Sequence, residues 1–301
     1  MTSTVYSIFI PLEQGLRRTT TDREIRIIIY SIFIPLEQGL VRFSIRNKNI
    51  PSFVCQFEYF YYICGHNNCQ IPIRPMAKQI DILCSEITLY NAWNIVKEKG
   101  AAGGIDGVTI MEFEKDKRKQ ISKLVDELAN KTWKPYPYLE IEIAKDKSPE
   151  EKRKLGMTAI RDKIVQLAIK TIIEPRYDRI FVGNSYGYRP GKGATKAIRR
   201  VLQECKNKKY KYVLRLDIDN FFDSIDHFLL RRKLVATGTE EEIVRLIMLC
   251  MQMGKVKQKN REWIDTMLGT PQGAVLSPLM ANLYLHSFDQ FAISRRMLCP
   301  H

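Results

Sequence analysis

No apolar run in the 301-residue chain is long enough to span a bilayer. The most apolar stretch, Ile27 to Leu36, is short, contains Pro35 and follows no cleavable signal pattern, so a soluble protein is expected, cytoplasmic by its cysteine usage. Cysteine is sparse: seven residues, odd in number and irregular in spacing, argue against a disulfide framework and for reduced thiols. Cys64-Gly-His-Asn-Asn-Cys69, with Cys55 upstream, could supply metal ligands, but no second pair follows at zinc-site spacing. Acidic residues are also in deficit, 33 against 48 lysines and arginines, which leaves a formal charge of +15. A polyanionic partner follows from that excess, and the lack of a basic amphipathic stripe favours nucleic acid over a membrane surface.

The chemistry-bearing stretch is Lys211 to Leu230, KYVLRLDIDNFFDSIDHFLL. Tyr212, Val213, Leu214 and Leu216 favour a strand, which puts Asp217 at its end, and Ser224 to Leu230 has the pattern of a short helix. A carboxylate on a strand end, beside a backbone carbonyl, can seat a hard cation against substrate phosphates. An ordinary aspartate punctuating a strand end is the competing reading. Two other carboxylate motifs lack the residues they need. An EF-hand loop beginning at Asp217 requires glycine and glutamate where Phe222 and Phe228 stand, and a phosphoryl-aspartate enzyme requires a small residue where Phe221 stands.

Residues 1 to 75 differ from the rest. Tyr6 to Leu16 and Tyr30 to Leu40 are the same segment, YSIFIPLEQGL, between dissimilar flanks, which points to a duplicated stretch of coding DNA rather than a solenoid. Helical grammar begins near Met76. Leu89, Ala92, Trp93 and Val96 form a stripe closed by Gly100, and Ile121, Leu124, Val125 and Leu128 form another between Asp116 and Asn130. Between them Gly103, Gly104 and Gly107 make a loop able to approach a partner closely, or a plain connection between helices. Leu139 to Ala144 alternates as a strand, and a charged turn from Lys145 to Lys154 leads to a buried helix ended by Glu174-Pro175. Lys145, Lys147, Lys152, Arg153, Lys154, Arg161 and Lys163 there could hold phosphates or form a solvated charged hairpin. In NSYGYRPGKG, Arg189 and Lys192 alternate with tyrosines, as a nucleic-acid-binding loop or an inward-packed surface loop would. A basic helix follows from Ala194, then an apolar-faced helix from Glu240 to Met253 and two candidate strands joined by a turn around Gln258 to Arg261. Gly269-Thr270-Pro271-Gln272-Gly273 is a close-approach loop or an ordinary Pro-Gly turn, and Ser277-Pro278 starts a helix.

Five ordered blocks carry a resemblance: AWNIVKEKGAAGGIDGVT (92 to 109), KRKLGMTAIRDKIVQLAIKTIIEPRYDRIF (152 to 181), NSYGYRPGKGATKAI (184 to 198), LRLDIDNFFDSIDH (214 to 227) and GTPQGAVLSPLMANLYLHSFD (269 to 289). The chain resembles the bacterial group II intron-encoded reverse transcriptase/maturases. The resemblance implies an α+β fold with right-hand polymerase fingers and a partial palm: helix-rich fingers with a β-hairpin, and a small antiparallel palm sheet. It implies fingers over 76–205 and palm over 206–301, while the duplication and the change of character near Met76 mark 1–75 as an appended or spuriously translated leader. Asp217 would be the catalytic metal ligand with the Ile218 carbonyl beside it, Mg2+ the cofactor, and Mn2+ its substitute. Asn220 and Phe221 would line the triphosphate, Phe222 would gate against a ribose 2′-hydroxyl, and Gln272 would contact the nucleotide. Arg161 with Lys152 or Arg153 would clamp phosphates. Gly103, Gly104, Gly107, Arg189 and Lys192 would meet template. An RNA template, a DNA primer or target, intron RNA and dNTP are the implied partners, with dNTP addition at a pair of divalent ions roughly 4 Å apart.

Departures accompany the matches. Met157 and Thr158 stand where Ile and Pro are usual, and Ala274 where a second glycine is common. No Tyr-Ala-Asp-Asp occurs, so a chain truncated before that block, with little or no polymerase activity by itself, is expected. A non-catalytic RNA-binding module of the maturase kind, assisting intron splicing, is the alternative.

Overall fold

The computed structural model describes residues 78–145, 148–208, 218, 220–259 and 261–294, with four short strands before them; for some strand residues, Arg153 among them, only the backbone is described. Those strands, β1 (Ile8–Ile10), β2 (Ile27–Ile29), β3 (Leu40–Arg42) and β4 (Val54–Gln56), form two antiparallel pairs, β1 with β2 and β3 with β4. The leader reading otherwise falls outside the described residues.

One compact unit comprises Ile73–Arg179 and Phe222–Tyr284. Its first helix, α1 (Gln79–Leu83), is too short to hold itself and borrows a cap from far along the chain. The Glu240 carboxylate accepts the Gln79 amide at 2.6 Å and the Ile80 amide at 3.2 Å. Helix α2 (Glu86–Glu98) starts where the Ser85 hydroxyl accepts the Thr88 amide. It buries Leu89, Ala92, Trp93 and Val96, the stripe its spacing requires, and Gly100 at φ 62° turns the chain away. A capping box between Thr109 and Glu112 opens α3 (Ile110–Lys115), whose Phe113 ring lies 4.5 Å from Trp93. Helix α4 (Lys117–Ala129) buries Ile121, Leu124 and Leu128.

Next comes a hairpin of β5 (Tyr138–Lys145) and β6 (Ser148–Met157), paired from Leu139 opposite Met157 to Ala144 opposite Lys152. Most of the charged run expected to be a turn is therefore strand. Its charges fit because β6 lies at the edge of the sheet, where Pro149 is also tolerated. Helix α5 (Ile160–Ile180) likewise runs through Pro175 instead of stopping before it. An internal proline costs about 3 kcal/mol, and burying Ile173 and Tyr177 on the same helix returns about 1.5–3 kcal/mol each. The Tyr177 hydroxyl also meets Thr239 Oγ1 at 2.5 Å.

In the second unit, the described parts of which are β1 to β4 and residues 180–208, 218, 220–221 and 285–294, helix α6 (Ala194–Lys208) follows the Asn184 to Gly193 loop. Back in the first unit, a 3-10 turn (Phe221–Ser224) enters from the boundary and Asp226 caps α7 (His227–Ala236) by accepting the Leu229 amide at 2.8 Å. The helix expected from Ser224 is thus a turn, a cap and a later helix. Helix α8 (Glu241–Met251) is buried along Ile243, Val244, Leu246, Ile247, Cys250 and Met251. Strand β7 (Lys255–Lys257) pairs in parallel with β5, and β8 (Trp263–Ile264) pairs antiparallel with β7, giving the order β6-β5-β7-β8. The sheet is mixed because a long crossover through helices separates β5 from β7. The strand expected at 212–216 lies outside the described residues. Helix α9 (Ser277–Ser294) closes the described chain, and no helix among the described residues is long and apolar enough to cross a membrane.

The cap on α1 gives a direct check. Glu240→Ala removes two charge-assisted bonds to helix amides and is expected to lower stability by about 1–2 kcal/mol in urea unfolding. An unchanged midpoint would show that α1 does not depend on Glu240.

Candidate active site

The loop 269–276 is fixed on three sides within the first unit. The Gly269 amide donates to the Ile225 carbonyl at 2.8 Å, and the Thr270 amide to the Phe222 carbonyl at 2.7 Å. His227 Nε2 donates to the Gly269 carbonyl at 2.6 Å. Thr270 Oγ1 donates to Ser277 Oγ, which donates to the Pro271 carbonyl at 2.8 Å, and Gln166 on α5 accepts the Val275 amide at 3.1 Å. On the hairpin side the Gly156 amide donates to the Gln272 carbonyl at 2.6 Å. Three glycines permit this approach. A Cβ on Gly269 (φ 83°) would fall 2.8 Å from the Phe222 carbonyl oxygen, one on Gly273 (φ 106°) 2.8 Å from the Gly156 carbonyl oxygen, and one on Gly156 2.8 Å from the Tyr138 ring. The loop thereby ties the Phe222 turn to the hairpin and leaves the Gln272 side chain in solvent.

Phe222 is half-buried. Within the second unit Phe221 is buried and Asn220, at φ 48°, is exposed. Asp217 lies outside the described residues; Ile218 is described and half-buried. No group of three or more His, Cys, Asp or Glu among the described residues could hold a metal ion. Of the neighbouring carboxylates, Asp226 is committed to its cap. Asp223 is exposed, and its carboxyl is pushed up by partial desolvation, with Lys255 and Lys154 pulling down and Glu140 adding to the rise. These two do not form a dication seat.

The hairpin presents a charged face toward the loop. Lys152, Lys154 and Gly156 alternate onto one side of β6, opposite Ala144, Glu142 and Glu140 of β5. Lys152 pairs with Glu142 at 3.1 Å, Lys255 with Glu140 at 2.8 Å and Lys257 with Glu262 at 2.9 Å. Among the described residues no carboxylate lies within ion-pair distance of Lys154. Arg161 is held elsewhere: it forks onto Glu127 at 2.5 and 3.4 Å, lies 3.5 Å from Asp162 and stacks 5.1 Å over Tyr136. A phosphate reaching Lys152 or Arg161 must share or displace these carboxylates. The Arg153 side chain is outside the described set.

The glycine loop is shaped by packing. A Cβ on Gly104 would fall 2.4 Å from the Ala159 nitrogen and one on Gly103 2.6 Å from the Val108 carbonyl oxygen. Gly107, at φ 70°, has open space around it and closes a turn on the Gly104 carbonyl at 3.1 Å. In the second unit Arg189 is turned inward, donating to the Val182 and Ser185 carbonyls at 2.7 and 3.0 Å, with Phe181 beneath it at 5.4 Å. Lys192 donates to the Gly183 carbonyl at 2.6 Å and lies 5.1 Å over Tyr186.

Residues 143–299 match the family model of reverse transcriptase (RNA-dependent DNA polymerase). The chain is 32% identical over 205 residues to the group II intron-encoded protein LtrA of Lactococcus lactis subsp. cremoris, covering 68% of this chain and 33% of that protein. It is 31% identical over 204 residues to the protein YkfC of Escherichia coli (strain K12), covering 66% of this chain and 52% of that protein. Among solved structures, a partial Cas6-RT-Cas1–Cas2 complex superposes with a TM-score of 0.49 at 21% identity, over 76% of this chain and 38% of that one. The chain belongs to the reverse transcriptase family, the family of RNA-directed DNA polymerases. Within it the chain is of the group II intron-encoded kind, and it spans about a third of the length of LtrA and half that of YkfC.

Sequence reasoning quoted Gly156 and Gln166 inside a block but gave neither a role. The readable signal was a polar pair, Asp162 and Gln166, one helical turn apart and in register with the apolar residues Ile160, Ile164, Val165 and Ile169 that α5 buries. Asp162 is fully buried and accepts the Tyr136 amide at 2.8 Å. Burial pushes its carboxyl up to about 7, against the pull of the Tyr136 amide and Arg161. The folded chain therefore holds this proton more tightly than the unfolded chain, whose aspartate titrates near its ordinary ~3.9. The group's contribution is fullest below about pH 4 and declines as pH rises to about 7. Thermal melts from pH 5 to 8 should show stability falling with pH, and Asp162→Asn should flatten that fall and melt higher than wild type at pH 8. A steeper fall in the variant would contradict the assignment.

Proposed function

We propose that the chain forms the fingers (76–205) and part of the palm (206–301) of an RNA-directed DNA polymerase of the right-hand kind, and binds the incoming dNTP beside the loop that carries Gln272. The supporting observation is the backbone tie that holds the Phe222 turn, the Gln272 loop and the charged hairpin face in one unit: Thr270 to Phe222 at 2.7 Å and Gly156 to Gln272 at 2.6 Å. Phe222 lies under the sugar and disfavours a 2′-hydroxyl, Gln272 contacts the nucleotide, and Asn220 and Phe221 line the triphosphate. Lys154 is the hairpin cation ready for phosphate, with Lys152 and Arg161 joining by exchange of their carboxylates. Asp217, with the Ile218 carbonyl, would hold Mg2+, which when bound supplies Lewis-acid activation and charge neutralisation at the phosphates. RNA template, DNA primer and intron RNA are the proposed partners; Gly107 and the tyrosine loop with Lys192 are proposed to meet the template.

The test is equilibrium binding of dGTP and GTP to the chain with an RNA template, a DNA primer and Mg2+. Wild type should favour dGTP by roughly tenfold or more, and Phe222→Ala should bring the two affinities together. Lys154→Ala should weaken both nucleotides by about tenfold and leave their ratio alone. Equal affinity of the wild-type chain for both nucleotides would contradict the reading.

A further inference from the structure

The chain has three tryptophans, and the structure treats one of them differently. Trp93 and Trp133 are fully buried, whereas Trp263, at the start of β8, is 55% exposed. Its ring is nevertheless held in place. Gly254, at φ 65°, lies directly beneath it, and a Cβ there would fall 2.8 Å from the ring carbon Cζ2, so one face of the indole rests on bare backbone. Its edge is fixed as well, because Nε1 donates to Asp265 Oδ1 at 2.9 Å. A rigid indole with one face seated and the other in water has little rotamer freedom left to lose on stacking.

The turn beside it supplies charge. Arg261, at φ 54°, closes the turn by donating its amide to the Lys257 carbonyl at 2.9 Å. Lys257 is neutralised by Glu262, while Lys259 and Arg261 are exposed and have no carboxylate within ion-pair distance among the described residues. An open aromatic face next to two exposed cations, on a chain of formal charge +15, suits a flat aromatic ligand carrying phosphates on either side. A base within a duplex has both faces covered, so the ligand must be single-stranded.

We propose that Trp263 is a stacking platform for one base of a single-stranded nucleic acid, with Lys259 and Arg261 on the flanking phosphates. The site takes a strand rather than an incoming nucleotide, and it stands whether or not Gln272 and Phe222 hold a dNTP.

The probe is the tryptophan emission of the intact chain, titrated with oligo(rU) and oligo(dT) of about twelve nucleotides. Only Trp263 is open to a stacking quencher, so binding should quench the emission, and Trp263→Phe should bind within about twofold of wild type without that quenching. Trp263→Ala should lose roughly tenfold in affinity at fixed salt. Trp263→Leu, which keeps apolar bulk over Gly254 without a π face, should lose as much and melts as a fold control. Lys259→Ala and Arg261→Ala should each flatten the salt dependence. Comparing the two oligonucleotides tells whether RNA or DNA is the better ligand. Binding without quenching, undiminished affinity in both Trp263→Ala and Trp263→Leu, or no binding of either oligonucleotide would overturn the proposal.

Discussion

The Gly156 amide reaches the Gln272 carbonyl at 2.6 Å because neither Gly156 nor Gly273 carries a side chain. A single backbone hydrogen bond contributes only about 1 kcal/mol net, but the approach it requires fixes far more than that. With the loop seated on β6, Thr270 can bond the Phe222 carbonyl, Gly269 the Ile225 carbonyl, and Ser277 the Pro271 carbonyl as α9 begins. Three segments distant in sequence are thereby tied main chain to main chain, with buried side chains of His227, Ser277 and Gln166 securing the loop from behind, which suits a site that must present Gln272 and Phe222 in fixed relation.

Helix α5 is the support behind this loop. Its apolar burial is large enough to carry the chain through Pro175, and its polar interruptions are placed rather than incidental. Gln166 receives the Val275 amide, and Asp162 receives the Tyr136 amide just before the hairpin begins. An unpaired buried amide costs about 1–3 kcal/mol, so these side chains also specify which loop may lie against the helix. Arg161, next in sequence, is drawn toward Glu127 and Asp162 rather than toward the charged face of the hairpin.

Local periodicity made much of this legible. The stripes of α2 and α4 were readable because i, i+3, i+4 spacing is a property of a few consecutive residues, and the buried set of α2 matches it residue for residue. The continuation of α5 through Pro175 was not readable, since tertiary burial decides it. The parallel pairing of β5 with β7 depends on a contact spanning more than one hundred residues, as the Lys255–Glu140 pair shows with its separation of 115. At the site, block order singled out Phe222 and Gln272, and the fold brings their loops together. It could not tell that Glu127, thirty-four residues from Arg161, would take that guanidinium, or that Glu142 would take Lys152 and leave Lys154, directly across the strand, without an ion-pair partner among the described residues. Asp217 lies outside the described residues, so its role rests on the family pattern.

The most direct measurement is residue-resolved hydrogen exchange of the Gly156 and Thr270 amides in wild type and in Gly273→Ala. The added methyl would press on the Gly156 carbonyl oxygen at 2.8 Å and strain a φ of 106°, without touching Thr270. If the loop, the hairpin and the Phe222 turn are held as one unit, both amides lose protection together in the variant. Faster exchange at Gly156 with Thr270 unchanged, or no change at either, would contradict that coupling.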